Sequence, residues 1–218
     1  GGPHAEVAAL ARAGDAAAGA TVYTTLEPCS HHGRTGPCAD ALVAANVQRV
    51  VIGVLDPDPQ VAGRGVERLQ AHGIEVDVGV AAGQVAEQLR AYLHHRRTGR
   101  PWVLCKLAMT LDGRIAAPDG TSQWITGPGA RADAHRLRAE SDAIIVGAGT
   151  VRADDPSLTV RDFTPAGEVP ARGLSPVRIV LGKAGADAKV QPARSHDGPL
   201  DALLDELGAE GMMQVMVE

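Results

Sequence analysis

Thr25-Leu26-Glu27-Pro28-Cys29-Ser30-His31-His32-Gly33-Arg34-Thr35-Gly36-Pro37-Cys38 is the stretch on which the fold of this chain turns. It leaves a short β-branched segment, Thr21 to Thr25, that reads as a strand. It then crosses a Gly/Pro/His loop and enters Cys38 to Ala45, which reads as a helix. Outward from it, Ala5 to Ala13 reads as a helix and Val50-Val51-Ile52-Gly53-Val54 as a buried strand. Gly65 to Ala71 follows as a helix and Ile74 to Val78 as an alternating strand. Strands alternating with helices imply an α/β fold with parallel strand pairs. Val85 to His95 reads as one further helix, its basic end His94-His95-Arg96-Arg97 solvated beside the helix C-terminus.

The breakers Thr98-Gly99-Arg100-Pro101 mark a boundary, giving units 1–98 and 99–218. The second unit restarts with a strand, Trp102 to Ala108, and Leu111 to Ile115 reads as a turn and strand. A helix over Gly129 to Ala139 and the strand Ala143 to Val146 follow, closing on the turn Gly147-Ala148-Gly149-Thr150. Strand Val177 to Leu181, helix Leu200 to Leu207 and strand Met212 to Val217 complete a second α/β unit.

At 218 residues the chain holds one large domain or two small ones. It is 44% hydrophobic and 2% aromatic, so Ala, Val, Leu and Ile must do the packing. A net charge of −5 excludes a general nucleic-acid or membrane-surface binder, which needs basic excess. Any bound phosphate must be met by a few local arginines. No apolar run approaches the roughly 20 residues that span a bilayer. No signal peptide is visible, but the chain opens at Gly1-Gly2-Pro3 with no initiator Met, so the cytoplasm is a default compartment only. Three cysteines are too few for a disulfide scaffold. Cys105, in an apolar run, reads as an ordinary buried thiol.

His4, Cys29 and Cys38 are the donor set of a catalytic Zn²⁺, which takes three protein ligands and keeps a fourth position for water. Glu6, two residues after His4 at a helix start, can reach that water and carry a proton from it to a leaving amine. His-x-Glu followed by Pro-Cys-x-x-Cys is the signature of zinc deaminases. Here the insert Ser30 to Pro37 separates the thiolates, and its polar residues and Arg34 suit a phosphorylated substrate. A structural zinc site, with His31 or His32 as fourth ligand, is the alternative. In the second unit no Gly-x-Gly-x-x-Gly follows a strand, which removes support for a Rossmann site. Gly147 to Thr150 offers backbone amides to a phosphate or nicotinamide, or is a plain strand-to-helix turn. Lys106 lies in an otherwise apolar strand and calls for a partner. Asp154 and Asp155 bind, or cap a helix before Pro156.

Gly-Gly-Pro-His-Ala-Glu-Val (1–7), the Thr25 to Cys38 stretch and Asp56-Pro57-Asp58-Pro59 resemble the deaminase half of the bifunctional riboflavin deaminase/reductases. Lys106 to Arg114, Ser122-Gln123-Trp124-Ile125-Thr126, Arg138, Gly147 to Thr150 and Ala153-Asp154-Asp155-Pro156 are similar to its reductase half, in the same order. The resemblance implies a cytidine-deaminase-like α/β/α domain followed by a dihydrofolate-reductase-like domain, with Zn²⁺ and NADPH as cofactors. It makes His4, Cys29 and Cys38 the zinc ligands and Glu6 the proton carrier. His31, Arg34, Asp56 and Asp58 would meet the first substrate, although a plain turn also explains the two aspartates. Ser122, Trp124, Arg138, Asp154, Leu158, Arg161 and Glu218 would hold the ribosyl phosphate. Thr126, Gly147, Gly149 and Thr150 would line the NADPH site, and Lys106 would assist hydride transfer. The implied substrate is a phosphorylated aminopyrimidine and the implied assembly a homodimer or larger. Against the family pattern, segments before His4 and after Glu218 are missing and Val180 to Pro199 is short. A deaminase with an assembly or binding domain, and a non-catalytic zinc module, remain as other readings.

Overall fold

The computed structural model describes residues 2–33, 36–165 and 173–218. They form two compact units, Gly1–Arg97 and Thr98–Glu218.

In the first unit α1 (Ala5–Ala13) and a 3-10 turn lead to β1 (Thr21–Leu26), α2 (Cys38–Ala44), β2 (Arg49–Val54), α3 (Arg64–Ala71) and β3 (Glu75–Val78). The sheet has the order β1-β2-β3 and both pairs are parallel. Central β2 is buried from Val50 to Gly53, as its apolar run requires, whereas β1 alternates. Leu42, Val50, Ile52 and Leu69 are fully buried and Val47 and Ile74 nearly so. Gly53 in β2 is where the next helix comes closest: a Cβ there would lie 2.7 Å from Val85 and 2.8 Å from the Thr25 carbonyl.

The single helix expected over Val85 to His95 is two, α4 (Ala82–Gln88) and α5 (Arg90–Thr98). Leu89 between them swings to ψ 11°, with no Gly or Pro to announce it. The basic end is not wholly solvated either. His95 is buried and Arg96 lies over the Tyr92 ring, 3.7 Å from Asp58.

The second unit runs β4 (Trp102–Cys105), α6 (Pro128–Glu140), β5 (Ala143–Gly147), α7 (Ala148–Asp154), β6 (Val177–Leu181), β7 (Arg194–His196), α8 (Leu200–Ala209) and β8 (Gln214–Val217). Its sheet, β4-β8-β5-β6-β7, is parallel throughout, with the last strand inserted between β4 and β5. Strand alternation sends Ile144, Val146, Val180 and Met216 to one face, and Ala143, Ile145, Ile179 and Val215 to the other.

Three expectations need correction here. The strand expected to reach Ala108 stops at Cys105, because its neighbour β8 accepts its last ladder bond, from Lys106, at Val217. Leu111 to Ile115 forms a tight turn without a strand, closed by Gly113 and Arg114 bonding back to Thr110. Cys105 is exposed, since β4 is an edge strand and alternates. Gly147 ends β5 and Ala148 to Thr150 open α7, which is the strand-to-helix turn that the sequence allowed. The short polar edge strand β7 carries no apolar signal and was not anticipated.

Candidate functional sites

In a parallel sheet every strand ends at the same edge, and both groups of candidate residues sit at such carboxyl edges. In the first unit β1 ends at Leu26 and hands on to Glu27, Pro28 and Cys29. The Cys29 carbonyl accepts the Ala39 N–H at 3.1 Å and its sulfur accepts the Cys38 N–H at 3.2 Å. Cys38 opens α2, so one thiol is held by the amide of the other. His4 stands just before α1, its Nδ1 3.6 Å from Cys29 Sγ and 3.2 Å from Cys38 Sγ.

All three ligand atoms lie within 4.8 Å of one another. An ion about 2.3 Å from each sulfur and about 2.0 Å from the nitrogen fits that spacing. Glu6 places Oε2 3.6 Å from Cys38 Sγ without being needed as a ligand. Burial, and then the Glu6 charge, push the Cys38 thiol well above its ordinary range. A thiol so placed becomes thiolate against a cation and releases its proton on binding one. The donor set therefore fits zinc.

His31 is half-buried, and its Nδ1 has no hydrogen-bond partner among the described residues. Arg34 lies outside the described residues. The Asp56-Pro57-Asp58-Pro59 loop follows β2 at the same edge. Asp56 accepts the Asp58 N–H, Asp58 accepts the Gln60 N–H, and Tyr92 donates its hydroxyl to both Asp56 oxygens at 3.1 and 2.9 Å. Both carboxylates are thus engaged in building the turn. Burial, then the Asp56 contact, push the Tyr92 phenol up to about 12. The reading of the sequence missed Tyr92. It also missed Glu27, a buried carboxylate that accepts four backbone N–H bonds from the loop after β2 and the start of α3. An acid before a proline looks like an ordinary turn residue, and only the tertiary contact separates the two.

In the second unit Lys106, Glu218 and Gly147 stand at or just beyond the carboxyl ends of the adjacent strands β4, β8 and β5. Arg138, on α6, donates to both Glu218 oxygens at 2.5 and 2.7 Å, and Lys106 lies 3.3 Å from one of them. The partner that Lys106 needed is Glu218. Burial works against the Glu218 charge, but the Arg138 bonds and Lys106 outweigh it and hold the carboxyl below its ordinary value. Arg138 also donates to the Thr159 carbonyl at 3.2 Å. Arg161 is exposed and meets the Ser157 and Thr159 hydroxyls only at 3.4 Å, leaving its charge open to an anion. His135, unremarked in the sequence, supports the same segment through Thr159 and Arg161.

Leu158 turns its side chain into the core at φ +49°, so it offers a ligand its backbone alone. Ser122 donates to Asp154 at 3.3 Å, and Trp124 is 71% exposed with Arg131 over its ring at 4.5 Å. Ser122 and Trp124 line a cleft of about 480 Å³ with Thr110 and Asp112. The Thr126 carbonyl accepts from Arg131. Asp154 ends α7 and Asp155 caps it in the left-handed region, so the capping reading of this acid pair describes Asp155. Gly149 and Thr150 are exposed, and a Cβ on Gly147 or Gly149 would meet nothing within 4 Å. A flat or anionic cofactor can therefore approach this backbone closely.

Residues 101–218 match the RibD C-terminal domain family, and residues 1–54 match the cytidine and deoxycytidylate deaminase zinc-binding region. The chain is 53% identical over 186 residues to the riboflavin biosynthesis protein RibD of Escherichia coli, covering 83% of this chain and 51% of that protein. It is 48% identical over 213 residues to RibD of Mycobacterium tuberculosis, covering 93% of this chain and 61% of that protein. The chain thus spans between half and two thirds of the length of these curated relatives. Among solved structures it is similar to RibD of Acinetobacter baumannii, with 40% identity and a TM-score of 0.87 over 100% of this chain and 67% of that one. It is also similar to a diaminohydroxyphosphoribosylaminopyrimidine deaminase/5-amino-6-(5-phosphoribosylamino)uracil reductase of Thermotoga maritima. The figures there are 36% identity and a TM-score of 0.84, over 100% of this chain and 68% of that one.

Proposed function

Because the chain belongs to the RibD family of riboflavin biosynthesis proteins, we propose that it carries out the two successive reactions of a deaminase/reductase, one in each unit. The first is hydrolytic deamination of 2,5-diamino-6-(ribosylamino)pyrimidin-4-one 5′-phosphate, in which water adds at the amino-bearing ring carbon and ammonia leaves. The observation that carries this reading is the convergence of His4, Cys29 and Cys38 within 4.8 Å, with the Glu6 carboxylate beside them. What zinc supplies when bound is activation of a water molecule as nucleophile at neutral pH. Glu6 takes the proton from that water and delivers it to the departing amine. His31 and Arg34 are assigned to the substrate, with Arg34 toward its phosphate, and Asp56 and Asp58 shape the wall through the turn they build.

The second reaction opens the ribosyl group to ribitylamino by reduction at C1′. What NADPH supplies when bound is the hydride. Its assigned place is the open backbone of Gly147, Gly149 and Thr150, with Thr126. Arg161, Ser122, Trp124, Asp154 and the Leu158 backbone are assigned to the product of the first step. Arg138 and Glu218 hold each other, and they meet a phosphate or ribose only by exchanging that bond. Lys106 keeps positive charge beside the reacting sugar. A domain division at 98/99 rests on the breakers Thr98-Gly99-Arg100-Pro101 and assembly as a homodimer or larger on the family pattern, while the cytoplasm is the default location.

The test is to incubate zinc-loaded protein with the diaminopyrimidine ribosyl phosphate, with and without NADPH, and to follow product masses. Deamination without NADPH and reduction only with it is the expected result. Deamination alone leaves the second unit as a binding or assembly domain, and neither product from folded, zinc-loaded protein overturns the reading.

A further inference from the structure

We propose that Glu27 is the positioning residue of the metal centre, a buried carboxylate that fixes Cys29 by clamping the chain just before it onto the start of α3. The proposal rests on the reading of His4, Cys29 and Cys38 as a metal site. Glu27 is 3% exposed, and both of its oxygens are filled by backbone donors. Oε2 accepts the Asp56 N–H at 3.3 Å and the Gly63 N–H at 3.0 Å; Oε1 accepts the Gly65 N–H at 2.8 Å and the Val66 N–H at 3.2 Å. Three of these donors come from Gly63 and the first turn of α3. That is where a helix has amides without intrahelical partners and favours negative charge.

The contact is close as well as charged. A Cβ on Gly65 would sit 2.1 Å from the Pro28 carbonyl oxygen, so α3 presses directly on the peptide that leads into Cys29. Farther along α3, Arg68 donates to the Ser30 carbonyl at 3.3 Å and pairs with Asp40 at 2.5 Å. Ser30 follows Cys29, and Asp40 lies in α2 behind Cys38. A helix that supplies no ligand therefore holds the chain on both sides of one thiol and the helix of the other. A metal leaves its site when a ligand swings away, and the clamp opposes that movement at Cys29. Outer partners that fix ligands in this way change metal affinity by roughly 10–100-fold.

The experiment loads the full chain with zinc, adds excess chelator and follows the rate of zinc release, with unfolding measured in parallel. Glu27→Gln turns one acceptor into a donor facing N–H groups, and is expected to speed release about tenfold or more. Glu27→Asp keeps the charge but withdraws it by one methylene, and is expected to speed release less; if Glu27→Gln does not fold, this variant decides. Ile74→Ala, a core truncation at the amino end of β3, away from the metal edge, is expected to lower stability while releasing zinc at the wild-type rate. Folded Glu27 variants with wild-type release overturn the proposal, and so does an Ile74→Ala protein that releases zinc as fast as they do. A wild-type chain that takes up no zinc overturns the metal reading and this proposal with it, whereas wild-type uptake with unchanged variants overturns this proposal alone.

Discussion

The two parallel sheets deliver functional residues to the same kind of place, the carboxyl edge, but leave them in opposite conditions. At the edge of the first, a nitrogen and two sulfurs face one another across a gap that an ion fits, and backbone bonds already hold the sulfurs there. At the edge of the second, Lys106 and Arg138 share the one carboxylate of Glu218, which offsets only one of their two charges. The first site gains its charge balance by binding, because its thiols need a cation. The second already has an internal ion pair and one cation to spare, and an anionic ligand must displace a carboxylate to use Arg138. A site of the first kind is pre-formed for a metal; a site of the second kind trades one ion pair for another.

The largest expected effect separates the two sites. Glu6→Gln keeps the three ligands and should retain zinc, yet deamination should fall by about 100-fold or more as the proton carrier is lost. Reduction of separately supplied deaminated substrate should be unchanged. A parallel fall in both rates breaks the comparison, since the sites would then not act independently.

Zinc removal is the next. A ligand present at about 100 times its Kd stabilises the state that binds it by about 2.7 kcal/mol. Chelation should therefore lower the unfolding transition of Gly1–Arg97 by about that amount and leave that of Thr98–Glu218 in place. Calorimetry with and without chelator reads this directly. A shift of both transitions would show that the second unit also draws on the metal.

The same contrast explains what was legible in the sequence. Metal chemistry demands particular atoms at short range, so His4, Glu6, Cys29 and Cys38 stood out by type and spacing and converge in the fold. The parallel sheets followed from the buried runs Val50–Val54 and Ala143–Val146, whose apolar character has no other use. Glu27, Tyr92 and His135 were invisible because an acid before proline, a tyrosine in a helix and a histidine in a helix are ordinary in sequence. Their roles are set by partners at distances of 24 to 39 positions along the chain. Cys105 was misread because an apolar run does not say whether its strand lies at the edge of the sheet.

Glu218→Gln sharpens the second side of the comparison. The carboxyl is held below its ordinary value, so its contribution is present above the unfolded carboxylate range and is lost as pH falls through the lower folded value. The variant should lose about 2 kcal/mol at pH 7, the scale of hydrogen bonds to a charged group. It should also lose part of the wild-type dependence on pH in the acid range. Denaturant titrations at pH 7 and pH 3 measure both, and an unchanged acid slope would show that Arg138 and Lys106 do not stabilise the Glu218 charge.

The smallest effect concerns the Tyr92 latch on Asp56. Tyr92→Phe removes one donor that bridges two carboxylate oxygens, and Asp56 keeps its bond from Asp58, so the loss at pH 7 should be about 1 kcal/mol. The sign of its pH dependence is opposite to that of Glu218. Burial and Asp56 raise the phenol from 10.0 to about 12, so its contribution is complete below pH 10 and fades as pH climbs toward 12. Wild type should therefore lose more stability than Tyr92→Phe between pH 9 and pH 11, with the difference confined to the transition of the first unit. Equal losses would mean that the hydroxyl does not hold the Asp56 turn, leaving that wall of the metal site to the Glu27 clamp.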